Sequence, residues 1–204
     1  MTVATARFLA LGDSYTIGED VPLAQGWPAQ VCQRLQEHGF TIAPAHIVAT
    51  TGWTTDELAA AMDAAALTPG FDLVSLQIGV NDQYRGRPLA TLQEGFRHLL
   101  QRAIELAEGR AARVVVVSIP DWGVTPFARA HDADCARIAA EIDACNALIA
   151  STCAAHAVAM VDVTAISRGG GRDLLAADGL HPSAEQYALW SVAIAVAAAR
   201  ALSG

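Results

Sequence analysis

The chain alternates between short apolar runs and longer segments in which apolar residues recur every three or four positions. The runs ARFLAL (6–11), IAPAHIVAT (42–50), FDLVSLQIG (71–79), RVVVVSIP (113–120) and VAMVDV (158–163) read as strands. The second is the weakest, because Pro44 breaks its start. The unbroken β-branched run of the fourth suits a parallel strand covered on both faces. Between them, GWPAQVCQRLQEHG (26–39) reads as a helix, with Pro28 in its first turn and Gly39 closing it. Residues 54–67, 88–109, 127–156 and the stretch from about Ala184 onward also read as helices. Thr54 with Glu57, Thr91 with Glu94, and Ser183 with Gln186 have capping-box spacing. The run Gly169 to Gly171 reads as a loop. Five strands separated by helices imply a parallel sheet with right-handed crossovers, an α/β domain of three-layer α/β/α type. No linker, internal repeat or low-complexity tract interrupts it, so residues 1–204 are expected to form one domain.

Composition narrows the class. At 204 residues with 53% hydrophobic and 17% charged residues, the chain is globular and long enough for a sizeable core. A formal net charge of -8 argues against a nucleic-acid groove or an anionic membrane surface as main partner, since both require clustered basic residues. Cys32, Cys135, Cys145 and Cys153 show no metal-finger spacing and read as small apolar residues. The apolar run Phe8 to Leu11 is too short for a signal-peptide core, and the segment Tyr187 to Ala199 falls short of a bilayer span. A soluble, cytoplasmic protein without stable membrane insertion is expected.

In open parallel sheets, ligands bind beyond the carboxyl ends of the strands. After the first strand come Gly12, Asp13 and Ser14, and after the second TTGWTTDE with Gly52. The third is followed by IGVNDQYRG with Asn81 and Asp82, the fourth by PDWGVTPF, and the fifth, at some distance, by AADGLHPSAEQ with Asp178 and His181. Each alone has an ordinary explanation as turn or cap chemistry. Their succession along one sheet edge does not.

A serine hydroxyl needs a base within hydrogen-bond reach, itself oriented by a third group. Asp178 and His181, three residues apart, can supply both from one segment. The charge that develops on a carbonyl oxygen needs donors. The backbone N–H of Gly52, the carboxamide of Asn81 and the Ser14 amide can offer them. These segments, GDSYTIG, Gly52 in TTGWTTDE, GVNDQ and DGLHPS, resemble in order the four sequence blocks of the SGNH (GDSL-type) hydrolases. The resemblance runs from residue 9 to residue 187. It implies a flavodoxin-like sheet of order 2-1-3-4-5. It also implies Ser14 as nucleophile, His181 as base then acid, Asp178 as its orienting carboxylate, and Ser14, Gly52 and Asn81 as the oxyanion hole. Asp13 and Asp82 match family positions and read as shaping their loops.

Other chemistries fit less well. The α/β-hydrolase elbow G-x-S-x-G is missing, since Thr16 stands two residues beyond Ser14. GDSYTIG lacks the second glycine of a dinucleotide fingerprint, and no Walker A sequence occurs. The histidines show no H-x-x-x-H spacing, so neither metal nor cofactor is expected. The expected partner is a small-molecule ester, with short-chain carboxylic esters favoured, acetyl esters of sugars included. Trp122, Val124 and Phe127 are expected to line the acyl site, alongside residues 15–26 and QYRGRPL. Arg85 and Arg87 either meet an anionic leaving group or are solvated. The alternatives are a lysophospholipase or thioesterase activity on the same residues, or an idle ester- or glycan-binding module.

Overall fold

A computed structural model describes residues 5–204; the first four residues of the expected domain lie outside the described residues. Strands β1 (Phe8–Gly12), β2 (His46–Ala49), β3 (Leu73–Gln77), β4 (Val114–Val117) and β5 (Ala159–Val161) pair in parallel in the order β2-β1-β3-β4-β5. This is the expected sheet. The second strand is shorter than its apolar run, and Ile42 makes only an isolated bridge to Ala6 ahead of Pro44. Every residue of β1, β3 and β4 is buried, as continuous apolar runs covered on both faces require.

The helices are α1 (Ser14–Ile17), α2 (Trp27–Glu37), α3 (Thr55–Ala64), α4 (Val80–Tyr84) and α5 (Leu89–Leu106), then α6 (Pro126–Ala130), α7 (Cys135–Ala155), α8 (Thr164–Gly169) and α9 (Ala184–Ser203). Helices α2 and α9 pack on each other and cover one face of the sheet, with α9 lying on β3, β4 and β5. Helices α3, α5 and α7 form the other layer. In α2, Trp27, Val31, Cys32 and Leu35 make the buried stripe that the 3.6-residue period demands. All four cysteines are free, three of them buried. Helix α7 is long and apolar enough to cross a membrane by length and composition alone, yet Ile138, Ile142, Cys145, Ile149 and Cys153 along it are buried.

Three expectations change. The helix expected over 127–156 is two helices, because the chain turns at Asp132 in a left-handed conformation (φ 49°). Asp134 then starts α7 anew by accepting the Arg137 N–H at 3.0 Å. Helix α5 begins at Leu89, directly behind Pro88, so Thr91 lies inside its first turn and the Thr91–Glu94 box is not made. The region of the glycine run is partly helical, with Gly169 ending α8.

Candidate active site

Strands β2, β1 and β3 end level, with Gly12 opposite both Ala49 and Gln77. Their following loops therefore leave the sheet side by side. Ser14 opens α1, where Asp13 is the N-cap and its carboxylate accepts the Tyr15 N–H at 3.1 Å. Gly52 sits in the loop after β2 at φ 85°, a left-handed conformation that a side chain would strain. Asn81 lies in the first turn of α4, which Gly79 starts at φ 118°.

One cavity of about 180 Å³ collects these residues: its walls include Ser14, Gly52, Asn81 and His181, together with Trp122 and Phe127. Ser14 and His181 are 5% and 7% exposed, so the polar centre is nearly buried where it meets this cavity. Val124 does not line it. That side chain is 37% exposed, because successive residues of the turn Trp122–Val124 project in different directions. The aromatic side comprises Tyr84 edge-on to Trp122 at 5.2 Å and Trp122 edge-on to Phe127 at 6.4 Å. The Trp122 indole is fixed by donating to Gln83 Oε1 at 2.8 Å, while Gln83 donates to Glu141 at 2.7 Å. Tyr15, from the expected stretch 15–26, also lines it, and Thr51, Val80 and Leu180 complete the walls. Nothing in the chain marked these last three separately, since each is an ordinary neighbour of a motif residue.

Asp178 organises the loop that carries His181. Its Oδ1 accepts the N–H groups of Leu180 and His181 at 2.9 and 3.0 Å, and its Oδ2 lies 2.5 Å from His181 Nδ1. Burial pushes this carboxyl up, but the bonds from the imidazole and the two amides outweigh it and hold it below the ordinary aspartate value. Among the described residues the other ring nitrogen, Nε2, has no hydrogen-bond partner, the Ser14 hydroxyl included, and His181 lines the cavity. The Asp178 N–H donates to Asp20 at 3.0 Å, which ties this loop to the segment behind the serine.

Asn81 donates from Nδ2 to the Trp53 carbonyl at 3.0 Å, leaving its second amide hydrogen free. Asp82, fully buried, accepts the Thr55 N–H and hydroxyl, both at 3.0 Å. Asp13 and Asp82 thus shape their loops. Arg85 and Arg87 are neither free nor merely solvated: Arg85 holds the Gly52 carbonyl and Glu57, and Arg87 pairs with Asp56 and Asp82. Among the described residues, no three His, Cys, Asp or Glu side chains gather to hold a metal ion.

A level row of strand ends, a serine at a helix start and a histidine–aspartate loop facing one small cavity define a carboxylic ester hydrolase. The model of the GDSL-like lipase/acylhydrolase family matches residues 10–189, and the chain belongs to that family. It is 26% identical over 183 residues to esterase TesA of Pseudomonas aeruginosa, covering 88% of this chain and 81% of that one. It is also 32% identical over 126 residues to an arylesterase of Vibrio mimicus, a match spanning 59% of each chain. Among solved structures, TesA superposes with a TM-score of 0.72 at 22% identity, covering 94% of this chain and 97% of that one. The lipase Lip_vut3 from a goat rumen metagenome reaches 0.78 at 18% identity, covering 95% and 97%. At such identities the structural likeness speaks for the fold.

Proposed function

We propose that the protein is a serine esterase for short-chain carboxylic esters, acting through an acyl-enzyme on Ser14. The observation that carries this reading is the convergence of Ser14, Gly52, Asn81 and His181 on one cavity, with Asp178 on the far nitrogen of the imidazole.

Ser14 Oγ attacks the ester carbonyl carbon while His181 Nε2 takes its proton. Asp178 keeps the other ring proton on Nδ1 and stabilises the imidazolium. The carbonyl oxygen, now an anion, accepts from the Ser14 amide, the Gly52 amide and the free hydrogen of Asn81 Nδ2. The C–O bond to the alcohol breaks, and the alcohol leaves with the proton from His181. Water then attacks the acyl-enzyme, gives its proton to the same nitrogen, and releases the acid as Ser14 regains its hydrogen.

The size of the cavity supports the short acyl preference: about 180 Å³ lies below the range of roughly 300–1,000 Å³ that drug-sized ligands occupy. The aromatic side chains of Tyr84, Trp122 and Phe127 in the wall suit an aryl or other compact group. Hydrolysis of p-nitrophenyl esters from acetate upward, run beside an acetylated sugar and a lysophospholipid, tests the preference. Activity is expected to peak at short chains. Ser14→Ala and His181→Ala should each lose at least about 10³-fold in kcat, and fluorophosphonate should add once to the wild type and not to Ser14→Ala, read by intact mass. A wild type that binds ester without cleaving it or taking the label is a binding module, and a steep optimum at long chains overturns the acyl preference.

A further inference from the structure

Three residues of one short segment grip the loop that carries Gly52. Asn81 Nδ2 holds the Trp53 carbonyl, the Asp82 carboxylate holds the Thr55 N–H and hydroxyl, and Arg85 Nη2 holds the Gly52 carbonyl at 2.7 Å. The first two tie residues beyond the glycine. Only the last takes the glycine itself.

Gly52 has no side chain by which packing could fix it, and its φ of 85° is one of several conformations open to glycine. Its carbonyl is the available handle. The Arg85 guanidinium also backs the residue closely, since a Cβ built on Gly52 would lie 3.8 Å from Nη2. The guanidinium is itself seated, because Nη1 donates to Glu57 Oε1 at 3.3 Å and Glu57 Oε2 accepts the Thr54 N–H at 2.9 Å. Planar and forked, it can hold a carbonyl and a carboxylate at once, which an ammonium point charge does less well. Arg85 closes α4 as its C-cap, one turn beyond Asn81. The side chain therefore spans from the helix bearing one oxyanion donor to the peptide bearing another.

We infer that Arg85 is a positioning residue of the oxyanion hole: by holding the Gly52 carbonyl it fixes the Gly52 amide relative to Asn81. This rests on the esterase reading above. Arg85 adds no donor to the reacting oxygen. It keeps a mobile glycine where its N–H is useful only once the carbonyl oxygen becomes an anion, so its loss falls on kcat.

The test compares Arg85→Ala, Arg85→Lys and Arg102→Ala on p-nitrophenyl acetate. Arg102 is the control, because it makes the same kind of fork to α3, to the Ala59 carbonyl at 2.9 Å and Asp63 at 2.7 Å, away from the cavity. Arg85→Ala should lower kcat about tenfold to a hundredfold, less than deletion of a donor, with KM within about threefold. It should slow phosphonylation of Ser14 by a similar factor. Arg85→Lys should recover part of the loss, and guanidinium at tens of millimolar should rescue Arg85→Ala but not Arg102→Ala. Arg102→Ala should keep wild-type kcat, and circular dichroism with a thermal melt should show all three folded. A kcat for Arg85→Ala within twofold of Arg102→Ala, or a loss carried by KM alone, overturns the assignment. Failure of the esterase reading is a separate outcome, seen as a wild type that neither turns over ester nor takes the label.

Discussion

The two halves of the proposed site, its oxyanion hole and its acid–base pair, are held by opposite means. The oxyanion half is stitched between segments distant in the chain: Asn81 to Trp53, Asp82 to Thr55, Arg85 to Gly52. The acid–base half is closed on itself, with one carboxylate accepting from Leu180, from His181 and from the His181 ring within three residues. Two ties from outside, the Asp178 N–H to Asp20 and the Phe127 N–H to the Gly179 carbonyl at 3.1 Å, set its direction. The first half exists only once the sheet has assembled. The second is a loop that carries its own geometry.

The largest expected effect probes the self-contained half. In Asp178→Asn, the carboxamide oxygen can still accept the two backbone N–H groups, so the loop should persist. Its NH₂ would face His181 Nδ1 and force the ring proton onto Nε2, leaving no base for Ser14. The kcat should fall by about 10⁴-fold, as in the serine-protease precedent, while the melting temperature stays near wild type. A collapse of the fold would show that the loop is not self-supporting. Asn81→Ala comes next and should lower kcat by about 10²–10³-fold with little change in KM. It also frees the Trp53 carbonyl. Amide hydrogen exchange should then quicken over residues 50–55, and Asp178→Asn should leave that segment as it was.

The same contrast decides what could be read from the chain. Asp178 and His181 were legible as a pair because they stand three residues apart, a spacing that lets one segment supply both groups. The strand order and the placing of Ser14, Gly52 and Asn81 after successive strands were legible from the blocks and their order. The stitches were not, because Gly52 follows β2 and Asn81 follows β3, which flank β1 without touching each other. Nothing local in RGRPL says that Arg85 will meet a carbonyl across that gap. The pocket wall was half legible. An apolar loop after β4 was expected, and Trp122 and Phe127 lie on the cavity, but which side chains face inward depends on a tight turn that turns Val124 away.

The carboxylates divide along the same line. Burial pushes the Asp13 carboxyl up to about 7, a shift the Tyr15 amide offsets in part and the charge of Asp82 adds to. Burial likewise raises Asp82, against the opposing bonds from Thr55. Asp178 is lowered instead. Between the ordinary aspartate value of 3.8 and about 7, the folded chain keeps a proton on Asp13 that the unfolded chain has released. The folded state binds more protons there, so the contribution of Asp13 to stability falls as pH rises through that window and levels off above it. Asp178 has the opposite sign, contributing stability at neutral pH that is lost on acidification. Thermal melts of Asp13→Asn against wild type should show a difference, in favour of the variant, that grows from about pH 4 to pH 7 and then stays constant. A flat difference would mean that the Asp13 carboxyl is not dehydrated as the structure has it.

The smallest effect separates two acids that look alike in the sequence. Glu57 and Glu94 each stand three residues after a threonine at a helix start. Only Glu57 makes the return bond, to the buried Thr54 N–H, and its other oxygen seats Arg85. Glu94 is exposed on a helix that Pro88 has already begun. Glu57→Ala should lower unfolding free energy by about 1 kcal/mol, the net worth of a hydrogen bond whose loss strands a buried donor. Glu94→Ala should stay within about 0.5 kcal/mol. Urea unfolding of the pair measures both. Glu57→Ala should also reduce kcat, by less than Arg85→Ala, because the guanidinium loses its seat and keeps the Gly52 carbonyl. Equal stability losses in the two variants would mean that the spacing alone, and not the bond, governs the helix start. A kcat loss in Glu57→Ala exceeding that in Arg85→Ala would show that the carboxylate, rather than the arginine it holds, keeps the oxyanion half in register.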